Sequence, residues 1–289
     1  MRPLRAATRG SPLARWQAEH IAGLLRGIDP AIVVELVVVE TQGDRRLDVP
    51  IWELGGKGVF AKEVQEAVLD GRADFAVHSA KDLPSVTVPG LAMVSVPERG
   101  DPRDAMVGST LADLPQGAEV ATGSLRRQSQ LAAARPDLRF VGLRGNMRTR
   151  IDKAAHHDAV VVAATALDRL GWADEIAERL ATDLVLPQVG QAALAIEARV
   201  DGDLHELLAA IEHADTRRCV DAERAFLAEL GGDCSLPAAA FATLSDANLS
   251  IEGRLLSVDG RTVLRHTGID GAVVARHLLD HGGADLLSR

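Results

Sequence analysis

The order Ala7-Thr8-Arg9-Gly10-Ser11 returns in shortened form as Ala121-Thr122-Gly123-Ser124. Each copy follows a strand-like segment and opens a helix, and each helix carries a glutamine further on, Gln17 and Gln128. Each half also holds an acid-led apolar strand, Asp74-Phe75-Ala76-Val77 and Asp158-Ala159-Val160-Val161. A strand handing over to a helix start twice, in the same order, predicts two similar α/β units with helices packed on sheets. The first copy is the sharper. "PLRAAT" reads as a short strand, and Ser11-Pro12 then supplies an N-cap and a proline at the first helical position. Leu13, Trp16, Ile21 and Leu24 are expected on the inward face of that helix.

"IVVELVVVE" predicts a second strand, "LGGKGVF" a glycine-rich loop, and Phe60, Val64, Ala67 and Val68 an amphipathic helix closing at Gly71. "ADFAVHS" is the next strand, and the pattern restarts after "PERGDPRDA". From about Thr216 the character changes. "RRCVDAERAFLAELGG" is helical, "AFATL", "LSIEGRLLSV" and "TVLRHTGI" are strands joined by the turns "SDAN" and "DG", and "GAVVARHLLDH" is a last helix. With 289 residues the chain suits two to three domains.

Charge is unevenly spread. The chain carries a net charge of -9, which argues against a general nucleic-acid binder. Between positions 126 and 153, however, eight basic residues face two acids, Asp137 and Asp152, a local +6. That reversal reads either as a solvated face or as a site for a small anion. The helix starts favour the anion. A helix N-terminus is already partly positive, so Arg126 and Arg127 in a first turn are unfavourable unless an anion sits there. Arg9 beside the first helix start invites the same reading. Facing cationic turns would then line a cleft for carboxylates or phosphates.

Other chemistries are excluded by pattern. "GGKGVF" has the wrong spacing for a P-loop, and there is no HExxH and no GxSxG elbow. The nine histidines show no metal-ligand spacing, so no metal is expected. Cys219 and Cys234 form no CxxC and suggest no disulfide framework. No apolar run reaches the ~18 residues of a membrane span, and "MRPLRAATRGSPLARWQ" lacks the apolar core of a secretory signal. A soluble, cytoplasmic protein with no membrane partner is expected. In "FAVHSAKDLPS", Lys81 and Asp82 stand side by side where an apolar strand ends, a pairing that solvation of a strand end does not require.

"ATRGSPLARWQA", "GGKGVFAKE", "AVHSAKDLP", "GSLRRQSQL", "LRGNMRTR", "LDRLG", "VGQAALAIE" and "LGGDCSLP" occur here in the order characteristic of one family. On these motifs, from about Arg5 to Pro237, the chain resembles hydroxymethylbilane synthase, also called porphobilinogen deaminase. The resemblance implies an α/β fold: two periplasmic-binding-protein-like α/β domains with a central cleft plus a small α+β C-terminal domain. The expected division is 1–95 with 193–211, then 99–189, then 214–289. It also implies a transferase of tetrapyrrole and haem biosynthesis. Such an enzyme deaminates four porphobilinogen molecules and joins them head to tail on a covalent dipyrromethane cofactor, one per chain, releasing hydroxymethylbilane. A monomer with transient contact to the next enzyme of the route is expected.

Carried over by motif, Asp82 would be the catalytic carboxylate, stabilising the cation formed as ammonia leaves. Lys81 would bind cofactor carboxylate, so the adjacent pair would serve a cationic ring and an anionic side chain; the alternative is a surface ion pair. Cys234 would hold the cofactor as a thioether, and Cys219 would be a helix-packing cysteine. Arg126, Arg127 and Arg150 would hold the cofactor's acids, with Ser79, Thr122, Ser124 and Gly145 beside them. Arg9, Ser11, Arg144 and Arg169 match the substrate side, where Phe60 could pack on a pyrrole ring. Gln17 and Gln191 line the cleft or pack helices, and Lys57 is a mobile clamp or a plain loop lysine.

The chain departs from the family pattern at three positions. Asp233 precedes Cys234 where glycine is common and could raise the thiol pKa. Gly123 replaces a frequent serine, removing a donor, and Ala192 replaces a frequent glycine after Gln191 and would stiffen a hinge. The rival reading is a two-lobed binding protein for a carboxylated ligand, which would have no need of Cys234.

Overall fold

The computed structural model describes residues 2–45, 58–231 and 236–287. The first unit is built from β1 (Leu4–Arg9), α1 (Pro12–Ile28), β2 (Val34–Val39), the short α2 (Gln42–Arg45), α3 (Lys62–Leu69), β3 (Phe75–Ser79) and β4 (Leu91–Ser95). The chain then crosses to β5 (Asp104–Val107), β6 (Glu119–Ala121), α4 (Leu125–Ala134), β7 (Arg139–Val141), α5 (Met147–Asp152), β8 (Ala159–Ala163), α6 (Ala164–Arg169) and β9 (Glu178–Arg179). It returns as β10 (Leu194–Arg199) and α7 (His205–Ala209). A last unit follows: α8 (Ala214–Glu229), β11 (Ala238–Ser245), β12 (Asn248–Leu256), β13 (Val263–Gly268), α9 (Gly271–Leu278) and α10 (Ala284–Leu287).

The repeat seen in the sequence is a repeat of topology. One sheet runs β2-β1-β3-β10-β4 and the other β7-β6-β8-β5-β9. In the first, β1 is parallel to β2 and β3, and β10 is antiparallel to β3 and β4. In the second, β6 is parallel to β7 and β8, and β5 is antiparallel to β8 and β9. Each antiparallel strand is the one that has just crossed from the other unit. The two α/β units are therefore joined by two chain crossings, and Lys81, just past β3, lies within electrostatic reach of Arg127 and Arg126 at the start of α4.

Local chemistry explains the helix starts. Ser11 Oγ accepts the Ala14 N–H at 3.2 Å, and Ser124 Oγ caps α4 by accepting from the Arg127 N–H at 3.4 Å. α3 ends two residues before Gly71, whose φ of +73° suits the left-handed turn. The "SDAN" turn is a tight hairpin with Asp246 and Ala247 both at positive φ.

Some expectations are corrected. α1 buries Ala14, Gln17, Ala18, Ile21 and Leu25, whereas Trp16 is 36% exposed. Ile21 is buried as expected, but it shares the inward face with small residues and Leu25, while Trp16 lies at the flank and stacks on His20. Phe60 lies before α3 rather than in its apolar stripe, and the last predicted helix is regular only as far as Leu278. Most of the glycine-rich loop lies outside the described residues.

α8 and α9 cover one face of the three-stranded sheet around Phe226, Ile251, Leu255 and Val274. α8 also meets both crossings. Buried Glu223 accepts from Arg99 Nη1 at 2.6 Å, from the Gly190 N–H at 2.7 Å and from the Ala242 N–H at 3.0 Å. Arg99 Nε donates to the Gln191 carbonyl at 2.7 Å. One carboxylate thus ties the outgoing crossing, the returning crossing and β11 together.

Candidate active site

β3 is buried along Phe75–His78 and delivers Ser79, Lys81 and Asp82 to the cleft through a single tight turn. Gly190, with φ +69°, packs against this turn. A Cβ there would come within 3.0 Å of the Ala80 carbonyl carbon and the Lys81 nitrogen, so the returning crossing presses directly on the loop that carries Asp82.

Asp82 is about a third exposed at the cleft, and Arg9 Nη1 lies 4.0 Å from its Oδ2. Arg9 stacks its guanidinium 4.2 Å over the Phe60 ring. Cations gather on the facing side. Arg150 is pushed down to about 10 by burial and then by the charges of Arg127 and Arg144, with Asp82 pulling the other way. Lys81 is pushed down to about 8 by burial, with Asp82 opposing and Arg127 adding to the fall. Arg9, Lys81, Asp82, Arg127, Arg144 and Arg150 therefore share one electrostatic neighbourhood. Gly145, at φ +117°, bends the chain so that its carbonyl accepts from Arg150 Nε at 2.8 Å.

The anion that the start of α4 demands is partly internal. Asp104, at the head of β5, is fully buried and accepts from Arg126 Nη2 at 2.7 Å and from Arg127 Nε at 2.9 Å. Burial works against its ionisation, yet the two guanidinium groups hold its carboxyl at about 2. Arg126 is only 2% exposed and spends Nη1 on the Leu186 carbonyl at 2.6 Å, while its buried Nε has no hydrogen-bond partner among the described residues. A small recess lined by Ser124, Arg126, Val189, Phe226, Leu236 and Ala238 lies beside it. That recess brings the second unit against Leu236, two residues past Cys234.

The glutamines pack. Gln191 is fully buried and donates from Nε2 to the Pro102 carbonyl at 2.7 Å and to Asp104 Oδ1 at 2.9 Å, so it braces Asp104 instead of lining the cleft. Gln17 is buried and donates to Ser79 Oγ at 2.9 Å. Thr122 Oγ1 accepts the Ser124 N–H at 3.3 Å, which orders the second turn. Gly123 has a steric reason: a Cβ would stand 2.5 Å from the Leu143 carbonyl oxygen. Arg169 donates to the Ala192 carbonyl at 2.7 Å and lies 5.5 Å over the Trp16 ring, a bridge between α6 and α1. Lys57, Asp233 and Cys234 lie outside the described residues. Cys219 is buried on α8. Among the described residues no group of His, Cys, Asp and Glu side chains is arranged to hold a metal, and no helix is long and apolar enough to cross a membrane.

Sequence reasoning missed Asp44 and Asp104. Asp104 carried a usable signal: it heads "DAMV", a strand buried at every position, and an acid there requires a buried partner. Asp44, in "GDR", carried none, because its partner Arg9 is 35 residues away.

The site, with a partly exposed carboxylate among clustered cations, agrees with what comparison with known proteins finds. The model for "Porphobilinogen deaminase, dipyromethane cofactor binding domain" matches residues 4–206, and that for "Porphobilinogen deaminase, C-terminal domain" matches residues 217–276. A porphobilinogen deaminase of Nitratidesulfovibrio vulgaris is 49% identical over 274 residues, covering 92% of this chain and 86% of its own. One from Chromobacterium violaceum is 46% identical over 296 residues, covering 98% and 96%. Among solved structures, a nutrient binding protein from Burkholderia cenocepacia bound to methionine is 12% identical, with a TM-score of 0.42, over 71% of this chain and 89% of that one. Identity of this order along nearly the whole chain decides against the binding-protein alternative: this chain belongs to the porphobilinogen deaminase family.

Proposed function

We propose that this chain is a hydroxymethylbilane synthase: it deaminates porphobilinogen, joins four such units head to tail and releases the linear tetrapyrrole with ammonia. The observation that carries the reading is the pairing of one partly exposed carboxylate, Asp82, with a cationic wall in which burial first, and then neighbouring arginines, push Lys81 and Arg150 down. Such a wall is stabilised by a polyacid, and each pyrrole unit brings an acetate and a propionate. That Leu236, two residues past Cys234, lines the same small recess as Arg126 supports a cofactor that starts at Cys234 and meets the arginines of α4. When bound there, dipyrromethane supplies the nucleophilic pyrrole terminus on which the product grows.

The chain's own groups divide the task. Lys81, Arg144 and Arg150 bind carboxylates directly, with the hydroxyls of Ser79, Thr122 and Ser124 beside them. Arg127 and Arg126 add charge from behind, held in place by Asp104. Asp82 accepts the pyrrole N–H of the incoming substrate. As the aminomethyl nitrogen departs, the ring becomes cationic, and the fixed carboxylate lowers the energy of that charge. The same carboxylate is placed to move the proton lost when the new carbon–carbon bond forms. Arg9, with Phe60 under it, receives a substrate carboxylate, and Ser11 holds the start of α1 that carries Gln17. Arg169 acts on the substrate side through the α6–α1 bridge.

We place the domain divisions at 1–95 with 193–211, 99–189 and 214–289, in accord with the three sheets. The protein works as a monomer, passing product to the next enzyme by transient contact. A thioether at Cys234 needs a reduced thiol, which supports a cytoplasmic setting. Intact-protein mass spectrometry tests the core reading. The purified chain should exceed its sequence mass by one dipyrromethane, and Cys234→Ser should not. A bare Cys234 in protein that still forms hydroxymethylbilane would refute it.

A further inference from the structure

Arg9 is gripped more tightly than a waiting anion receptor needs to be. Its Nε donates to Asp44 Oδ2 at 3.1 Å and its Nη2 to Asp44 Oδ1 at 2.5 Å, a fork-on-fork contact along one edge. Asp44 is itself fixed: its Oδ2 accepts from Thr41 Oγ1 at 2.7 Å, and Thr41 is fully buried. Burial opposes its ionisation, but the hydrogen bonds and charge of Arg9, with Thr41, hold its carboxyl below the usual range. One face of the guanidinium lies on Phe60, whose ring is seated against Gly43, where a Cβ would overlap it. With an edge and a face committed, what remains toward the cleft is Nη1, 4.0 Å from Asp82.

A planar guanidinium bound bidentately keeps its orientation, and an unclamped one follows the nearest carboxylate. Here the nearest carboxylate in the cleft is Asp82. We propose that Asp44 is the positioning residue for Arg9, clamping one edge so that Nη1 is presented to a carboxylate of the incoming porphobilinogen and is kept from collapsing onto Asp82. The inference rests on the reading of Arg9 as a substrate-side arginine given above.

The test compares cofactor-loaded Asp44→Asn, Asp44→Glu, Thr41→Val, Arg9→Ala and the double variant Asp44→Asn/Arg9→Ala, with the loaded fraction read by intact mass. Loss of a charge-assisted clamp should raise the KM for porphobilinogen in Asp44→Asn by about tenfold, more than it lowers kcat, with loading unchanged. Asp44→Glu should recover part of the loss. The double variant should be no worse than Arg9→Ala, because the clamp has nothing left to hold. If Asp44→Asn fails to fold, Thr41→Val loosens the same carboxylate without changing charge, and its KM should rise about twofold to fivefold only when Arg9 is present. An unchanged KM in Asp44→Asn beside a raised KM in Arg9→Ala overturns the clamp alone. Losses that multiply in the double variant do the same. An unchanged KM in Arg9→Ala overturns the substrate-side reading as well.

Discussion

Asp82 and Asp104 are both carboxylates facing arginines, yet their surroundings assign them opposite tasks. Asp104 is sealed between Arg126 and Arg127, whereas Asp82 keeps about a third of its surface and stands 4.0 Å from the nearest guanidinium nitrogen. Asp82→Asn should therefore fold and load cofactor while turnover falls roughly 10²- to 10³-fold, the scale for removing one fixed transition-state charge partner. Asp104→Asn should instead cost about 3–5 kcal/mol in denaturant unfolding, because two buried guanidinium groups lose their counter-charge. Lys81 gives a pH signature. Its folded value is about 8 against 10.5 for the free side chain, so between those values the unfolded chain holds more protons. Stability of an unloaded Cys234→Ser protein should thus rise with pH from about 8 to 10.5, relative to the same protein carrying Lys81→Met. A thermal scan at each pH reads that difference, and a flat difference would reject the buried-ammonium account.

At the scale of elements, the strand-to-helix turns were readable because a cap is local: Ser11, Pro12 and Ser124 act within a single turn. The inward face of α1 was legible only in part: Ile21 is buried as expected, but so are Ala14, Gln17 and Ala18, which no periodicity of large apolar residues reveals. The same limit hid the acid that Arg126 and Arg127 share, which comes from β5, and left Gln191 open between lining the cleft and packing, where it braces Asp104. The departures from the family pattern also acquire reasons here. Gly123 is held to a glycine by the Leu143 carbonyl, so Gly123→Ser should disturb the turn instead of adding a donor. Ala192 stands at φ 70° in the returning crossing. The left-handed region costs an alanine about 1–2 kcal/mol, and glycine forfeits roughly half of that relief in chain entropy. Ala192→Gly should stabilise the fold by about 0.5 kcal/mol, read from the urea midpoint.

Across the whole molecule, the two crossings and the last unit meet at Glu223. Glu223→Ala should cost about 3 kcal/mol or more by stranding buried Arg99, and it should also slow turnover, because Gly190 links that junction to the loop carrying Asp82. Equal turnover in a variant so destabilised would separate the junction from the chemistry. Asp104 bears on the site as a whole. By seating an acid of its own between Arg126 and Arg127, the polypeptide settles the worst of its self-repulsion from within. The set of these two guanidinium groups is consequently inherited from β5, and a change at that strand's head would reach the site without touching anything in it.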